Sequence, residues 1–377
     1  MMITRYLFSI AFFSLIACTA SEEKSAYPNQ VDLVIVDSLM VEENSFFTNS
    51  LHHVKMIGDS LIAISSIRTP AISIIQISGK QIAQIASKDF PIAPFLPSSF
   101  DVSEYPKLYI LDKRSESILI FDAQRQQFLD KVKLNIPSDK RIKLAGSKFL
   151  KNSDGYIIEL ESAIYDNYHP DYFRKSGDQV FFFNEDGVVI DSFLEFPKEL
   201  KEVNGSLSPI EYLVSAKYDQ SLILSFPQEQ IIRRYNQSNP FKLIEEIPLP
   251  PSNIFDYSPK SSETIISFQE IFESGKGLDI AVPRSHYFNT IYENKNFIII
   301  TTWMSNNEEA PNNKILSHLF TFDKINYEWF ETSNPKNILD IGKFVGVVND
   351  TLYFYEGSLM KHDEKYIKRA ILKPIEE

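Results

Sequence analysis

Cysteine is nearly absent: the 377-residue chain has one, Cys18. No intrachain disulfide can form, and no thiolate zinc site can be built. Glycine is scarce as well, 12 residues, against roughly 7 % in ordinary chains. Neither a glycine-rich phosphate-cradling loop nor the dinucleotide glycine pattern occurs, and Gly-x-Ser-x-Gly and His-Glu-x-x-His are missing too. The only long apolar run, Leu7–Ile16, is too short for a membrane span, which takes about 20 residues. Positive charge is in deficit. A formal net charge of −12 argues against nucleic acid and against docking on anionic lipid through a basic patch. Histidine is limited to six, and His52 and His53 are neighbours on a predicted strand. Adjacent strand residues face opposite sides, so the pair does not make a shared metal site, and no metal or cofactor is expected.

The N-terminus accounts for the lone thiol. Arg5, the apolar stretch Leu7–Ile16 and small Ala17 have the layout of a secretory signal peptide. Leu15-Ile16-Ala17-Cys18 resembles the lipobox of bacterial lipoproteins, in which the cysteine sulfur takes a diacylglycerol and becomes the mature N-terminus. Residues 1–17 are then a leader and 18–30 a lipidated, flexible tether. An ordinary signal peptide that happens to carry a cysteine is the alternative. Ser21-Glu22-Glu23 is similar to the acidic signal that sends lipoproteins of Bacteroidota to the outer face of the outer membrane. The expected location is therefore the outer membrane, lipid-anchored on its periplasmic or extracellular face, with surface exposure favoured.

A weak unit recurs six times through the rest. Its second strands, each with the preceding turn, are GDSLIAI (58–64), YPKLYIL (105–111), SDGYIIEL (153–160), DQSLILSF (219–226), NKNFIIITT (294–302) and NDTLYFY (349–355). A second hairpin follows each. Its turn opens on an apolar or aromatic residue and a small polar one: Ile77-Ser78, Phe121-Asp122, Phe183-Asn184, Tyr235-Asn236, Phe322-Asp323 and, more loosely, His362-Asp363. Asp, Asn and Ser suit that place because their side chains bond their own backbone in turns. The expectation is an all-β chain, a six-bladed β-propeller of four-stranded antiparallel blades over residues 31–377, with one short helix, Glu263–Glu273, in an insertion. A two-sheet sandwich is the competitor. The stretch 30–43 has no partner in the first unit and is expected to lie on the last one, whose own end is 366–373.

Antiparallel alternation puts the first–second and third–fourth turns of every unit on one face and all other connections on the opposite face. The long segments 89–99, 135–147, 160–178, 198–210, 251–286 and 303–314 all fall in the second class. Long loops gathered on one face are how a scaffold builds a binding surface. They carry Tyr165, Tyr168, His169, Tyr172, Arg174, Arg284, His286, Tyr287 and Trp303, while Arg68, Lys113 and Arg114 stand at equivalent strand exits. Tyrosine and tryptophan give rigid contact area with a polar tip, and arginine a planar fork. These eleven residues, Lys113 apart, are the expected ligand-binding set, for a glycan, peptide or protein ligand on a monomeric binding module. Packing of the loops on one another is the competing use for each. The enzyme alternative is a lyase or hydrolase that employs His169, His286, Tyr287 or loop carboxylates, and no catalytic residue is assigned.

Lipobox, acidic flank and repeat together resemble the six-bladed β-propeller lipoproteins of Bacteroidota, a family of unknown function with TolB-like or NHL-like architecture. SHYFNTIYENKNFIIITT (285–302) is similar to that family's aromatic strand, acidic turn and second strand. The resemblance implies the fold and supplies no site residues.

Overall fold

The computed structural model describes residues 27–42, 51–66, 70–91, 95–144, 146–210, 212–237, 241–273, 282–305, 315–356 and 364–375. Cys18, Arg68 and His362-Asp363 lie outside them. Strands dominate, as short apolar, β-branched and aromatic runs bounded by polar turns should dictate.

Four sheets stand alone. Sheet I is Leu51–Ile57, Leu61–Ser66, Ala71–Gln76 and Gln81–Ala86. Sheet II is Pro97–Asp101, Lys107–Asp112, Ser117–Asp122 and Gln127–Lys133. Sheet III is Phe149–Asn152, Gly155–Ser162, Val180–Asn184 and Val189–Phe193, with Lys140–Ile142 added on the end of its second strand. Sheet IV is Val214–Tyr218, Ser221–Phe226, Ile231–Asn236 and Leu243–Pro248. In each, consecutive strands pair antiparallel.

The remaining strands form one ten-stranded sheet, V. Ile315–Ser317 and Lys336–Asn337 extend it beside the end of Phe297–Ser305, and the other eight strands make two antiparallel runs. The first is Tyr287–Glu293, Phe297–Ser305, Leu319–Asp323 and Glu328–Thr332. The second is Lys343–Val348, Thr351–Glu356, Tyr366–Pro374 and, from the other end of the chain, Asn29–Met40. The expectation of six separate four-stranded sheets is corrected here, and the cause is local. Asn29–Val31 also pairs in parallel with Phe330–Thr332, welding the two runs together. The sixth repeat needs correction too. Tyr366–Pro374 pairs directly with Thr351–Glu356, so it is that unit's third strand, and the fourth is supplied by the N-terminal segment.

The cores lie between sheets. Ile74 of sheet I packs with Phe100 and Ile110 of II, and Leu111 of II with Phe149 and Ile158 of III. Phe182 of III clusters with Leu224 of IV, and Ile232 of IV with Ile298 and Phe320 of V. Within V, Ile299 clusters with Phe354, while Tyr355 and Ile367 return to Ile64 of sheet I. The succession closes on itself. The architecture is a β-propeller of four-stranded antiparallel sheets around a common axis.

The turns follow the side-chain chemistry read from the repeat. Asp122 Oδ1 accepts the Gln124 and Arg125 amides at 3.0 and 2.8 Å. Asn184 Oδ1 accepts those of Asp186 and Val188, and Asp323 Oδ1 those of Ile325 and Asn326. Left-handed φ is taken by Gln126, Asp219, Tyr327, Asn349 and Asp350, which explains how so many hairpins form with little glycine. Helices are corrected. Among its described residues the insertion is helical over Phe268–Glu273, Ser261 bridges Leu207 as extended chain instead, and Pro170–Lys175, Lys198–Lys201 and Ile338–Ile341 are short helices the repeat did not signal.

Candidate functional site

The first strand of every set faces the axis, and together these strands line one cavity of about 420 Å³. It extends from Ser147 and Lys343, where first strands begin, to Ser103 and Asp219, in the turns that end them. A volume of that size is in the range of small-molecule pockets. Strand alternation decides the lining. His53 and Lys55 come from one side of Leu51–Ile57, and Ser215 and Lys217 from one side of Val214–Tyr218. Half-buried Tyr218 and Tyr292 add aromatic surface.

Lysine is the dominant charge. Lys55 Nζ donates to the Phe149 carbonyl at 3.3 Å, and Lys217 Nζ to the Lys151 carbonyl at 2.7 Å. Both side chains thus cross to the same strand, Phe149–Asn152, and Lys148 lines the cavity at its start. Burial pushes the Lys55 ammonium below its ordinary pKa; Asp101 opposes the shift, and Lys148 and Lys217 add to it. The one carboxylate facing this group, Asp101, is buried and also accepts the Ser103 amide at 2.8 Å and hydroxyl at 2.5 Å. Further along, Glu293 is neutralised from outside the cavity. Its wholly buried carboxylate meets Arg234 Nη1 and Lys324 Nζ, each at 2.8 Å. Lys343 lies 5.3 Å from the centre of the Trp303 ring.

Among known structures the chain is similar to an exported protein from Bacteroides fragilis, with a TM-score of 0.55 at 13 % identity, over 90 % of this chain and 95 % of that one. That likeness shows the fold. Weaker matches include the WD40 repeats of RRP9, at 0.48, 10 % identity and coverage of 90 % and 100 %, and a streptogramin B lyase, at 0.46, 10 % identity and coverage of 89 % and 98 %. No protein-family model matches the chain, and no curated protein does.

None of the ten described residues in the sequence-predicted set lines the propeller's cavity. The long connections do meet one another. Arg174 donates to the Lys201 and Val203 carbonyls at 2.9 and 2.7 Å and to Asn204. Tyr168 is buried with Val282 and against the Phe268 ring, and Asp166 accepts the Phe268 amide at 2.7 Å. Tyr165 and Tyr172 belong to the core between sheets III and IV. His169 caps the helix Pro170–Lys175 by accepting the Asp171 amide. His286 accepts the Asp256 amide at 3.1 Å and contacts Phe255. Tyr287 and Trp303 meet edge to face, Arg284 is half-buried, and Arg114 is exposed in the tight turn after Lys107–Asp112. Much of this set therefore holds the loops together.

Another polar cluster has the order hydroxyl, imidazole, carboxylate. Thr302 Oγ1 lies 2.6 Å from His318 Nδ1, and His318 Nε2 lies 3.0 Å from Glu331 Oε1. Ser252 and Gln30 also donate to Glu331. All three core members are buried to 2 % or less, so no substrate reaches them and their role is structural. Among the described residues, no group of three or more His, Cys, Asp or Glu is placed to hold a metal ion. Sequence reading missed Lys55, Lys148, Lys217 and Asp101. The signal was available: lysine two or three residues ahead of the first turn, as in HHVKMIGD and VSAKYDQ.

Proposed function

We propose that this chain is a lipid-anchored, six-bladed propeller of the cell envelope that binds a small molecule in its central channel. The six-blade reading treats the ten-stranded sheet as two blades joined through the three-residue parallel contact of Asn29–Val31. The closed succession of inter-sheet cores supports it. The lipobox-like sequence at Cys18 and the exported neighbour from Bacteroides fragilis support an outer-membrane lipoprotein of the kind its repeat resembles. The packed long connections then shape the approach to the channel, which brings the face read from the sequence and the cavity into one ligand path.

The observation that carries the binding role is the cavity itself, since first strands from every sheet contribute polar and aromatic side chains to one shared space. Half-buried Ser215 and Asn289 line it from sheets IV and V. A metabolite library screened by ligand-observed NMR should give hits that disappear in Ser215→Trp and in Asn289→Trp, either of which fills the channel. Hits that survive both variants would place the site elsewhere, and a library without hits would remove the binding role.

A further inference from the structure

We infer that the channel is built for a tetrahedral oxyanion, the phosphate or sulfate monoester of a small polar molecule, held by Lys55, Lys148 and Lys217. This rests on the channel being the ligand site and adds the class of ligand.

Three features lead there. The first is charge placement: Lys55, Lys148 and Lys217 line one section of the cavity from sheets I, III and IV, where Lys148 and Lys217 repel the Lys55 ammonium and Asp101 opposes them, while Asp219 and Glu293 line the cavity further along. A local excess of positive charge in a chain of net charge −12 is costly in a confined, partly desolvated space unless an anion relieves it. The second is positioning: Lys55 and Lys217 are both tied to carbonyls of Phe149–Asn152, at Phe149 and Lys151. An ammonium has three donors, so a tether to one carbonyl fixes its place without using up its hydrogen-bonding capacity. The third is the kind of cation: no arginine lines the cavity. Carboxylates are matched by the planar fork of arginine, whereas separate ammonium point charges suit the several oxygens of a phosphate or sulfate. Half-buried Tyr218 and Tyr292 offer aromatic surface to the body of the molecule.

The test is calorimetric titration of the detergent-solubilised full chain with glucose 6-phosphate, glucose 6-sulfate, inorganic phosphate, citrate and glucose. At least one ester should bind, more tightly than citrate or glucose, and its affinity should fall as sodium chloride is raised. Lys55→Met and Lys217→Met should each weaken it by about tenfold or more, the usual scale for a lost charge-assisted hydrogen bond. Both variants should melt no lower than wild type without ligand, because like-charge repulsion is relieved. Should either variant fail to fold, the wild-type order of affinities and their salt dependence still decide. Citrate or glucose binding as well as the esters, salt-independent binding, or full affinity in the double lysine variant would overturn the inference. A neutral molecule whose binding is lost in Ser215→Trp would overturn it too, while the channel remained a ligand site. A chain that bound none of the probes and no library molecule would lose both.

Discussion

Glu293 ties the inner wall of the propeller to two cations outside the cavity. Its carboxylate has no exposed side-chain surface and bonds two cations from different elements, Arg234 on sheet IV and Lys324 in a turn of sheet V. Removing one partner of a buried pair leaves a charge without compensation, at a cost of roughly 3–5 kcal/mol. Arg234→Met should therefore lower the urea midpoint strongly, and Glu293→Gln with Arg234→Met should recover part of the loss. An unchanged midpoint in the single variant would mean that the pair contributes nothing. Lys324→Ala should also act on stability, so this position is unsuited as a silent control for binding studies.

His318 gives the molecule an acid-sensitive core. Burial lowers its pKa, with Glu331 opposing. The unfolded imidazole, near its ordinary value of about 6.5, then binds protons that the folded one refuses, so stability falls as pH drops below that value. Glu331 works in the same direction at lower pH. Burial alone would raise its pKa, but bonds from His318 and Ser252 hold it below the ordinary glutamate value, so its contribution is lost as pH falls past about 4.5. Melting temperature measured from pH 8 to pH 5 should decline, and His318→Gln should flatten the decline between pH 7 and pH 5. An equally steep slope in the variant would assign the acid sensitivity to other groups.

At the scale of elements, Asn29–Met40 holds the most consequential position. It runs antiparallel to Tyr366–Pro374, starts against Phe330–Thr332, and continues to Glu42, which bridges Lys80 of sheet I. One segment thus touches three successive stretches of the ring. Deleting residues 27–42 should uncover the edge of Tyr366–Pro374, an unpaired template for other strands, and produce aggregation visible by light scattering. The junction with sheet I is narrow. A Cβ on Gly79 would lie 2.3 Å from the Met40 carbonyl oxygen, and Gly79 has a left-handed φ of +96°. Gly79→Ala should therefore cost about 1–3 kcal/mol, measured by denaturant unfolding. A variant as stable as wild type would show that this contact does not tie the segment down.

At the scale of the molecule, the ring was legible and its interior was not. The repeat located every second strand and the polar turns, since strand alternation and Asx chemistry are local. It placed the N-terminal stretch on the sixth unit correctly, but took 366–373 for that unit's fourth strand although it pairs directly with Thr351–Glu356 as the third. Aromatics such as Tyr168 and Tyr172 looked like ligand platforms, yet they pack loop on loop; sequence alone does not separate those uses. The lysines of the channel carried a signal only in their place just ahead of the first turn, for a strand facing an axis otherwise reads like one facing solvent. The anchor is a prediction at this scale as well. Cys18→Ala should release the protein from the membrane fraction or leave it as a longer precursor on immunoblots, and undiminished membrane retention would contradict lipidation.

The described chain begins on an outermost strand, at the circumference of the ring. A tether fastened there would suspend the disc by its edge, as a coin hangs from a hole drilled near its margin. Neither face of the disc would then be pressed against the bilayer, so the axial cavity would stay reachable by solutes while the protein was moored.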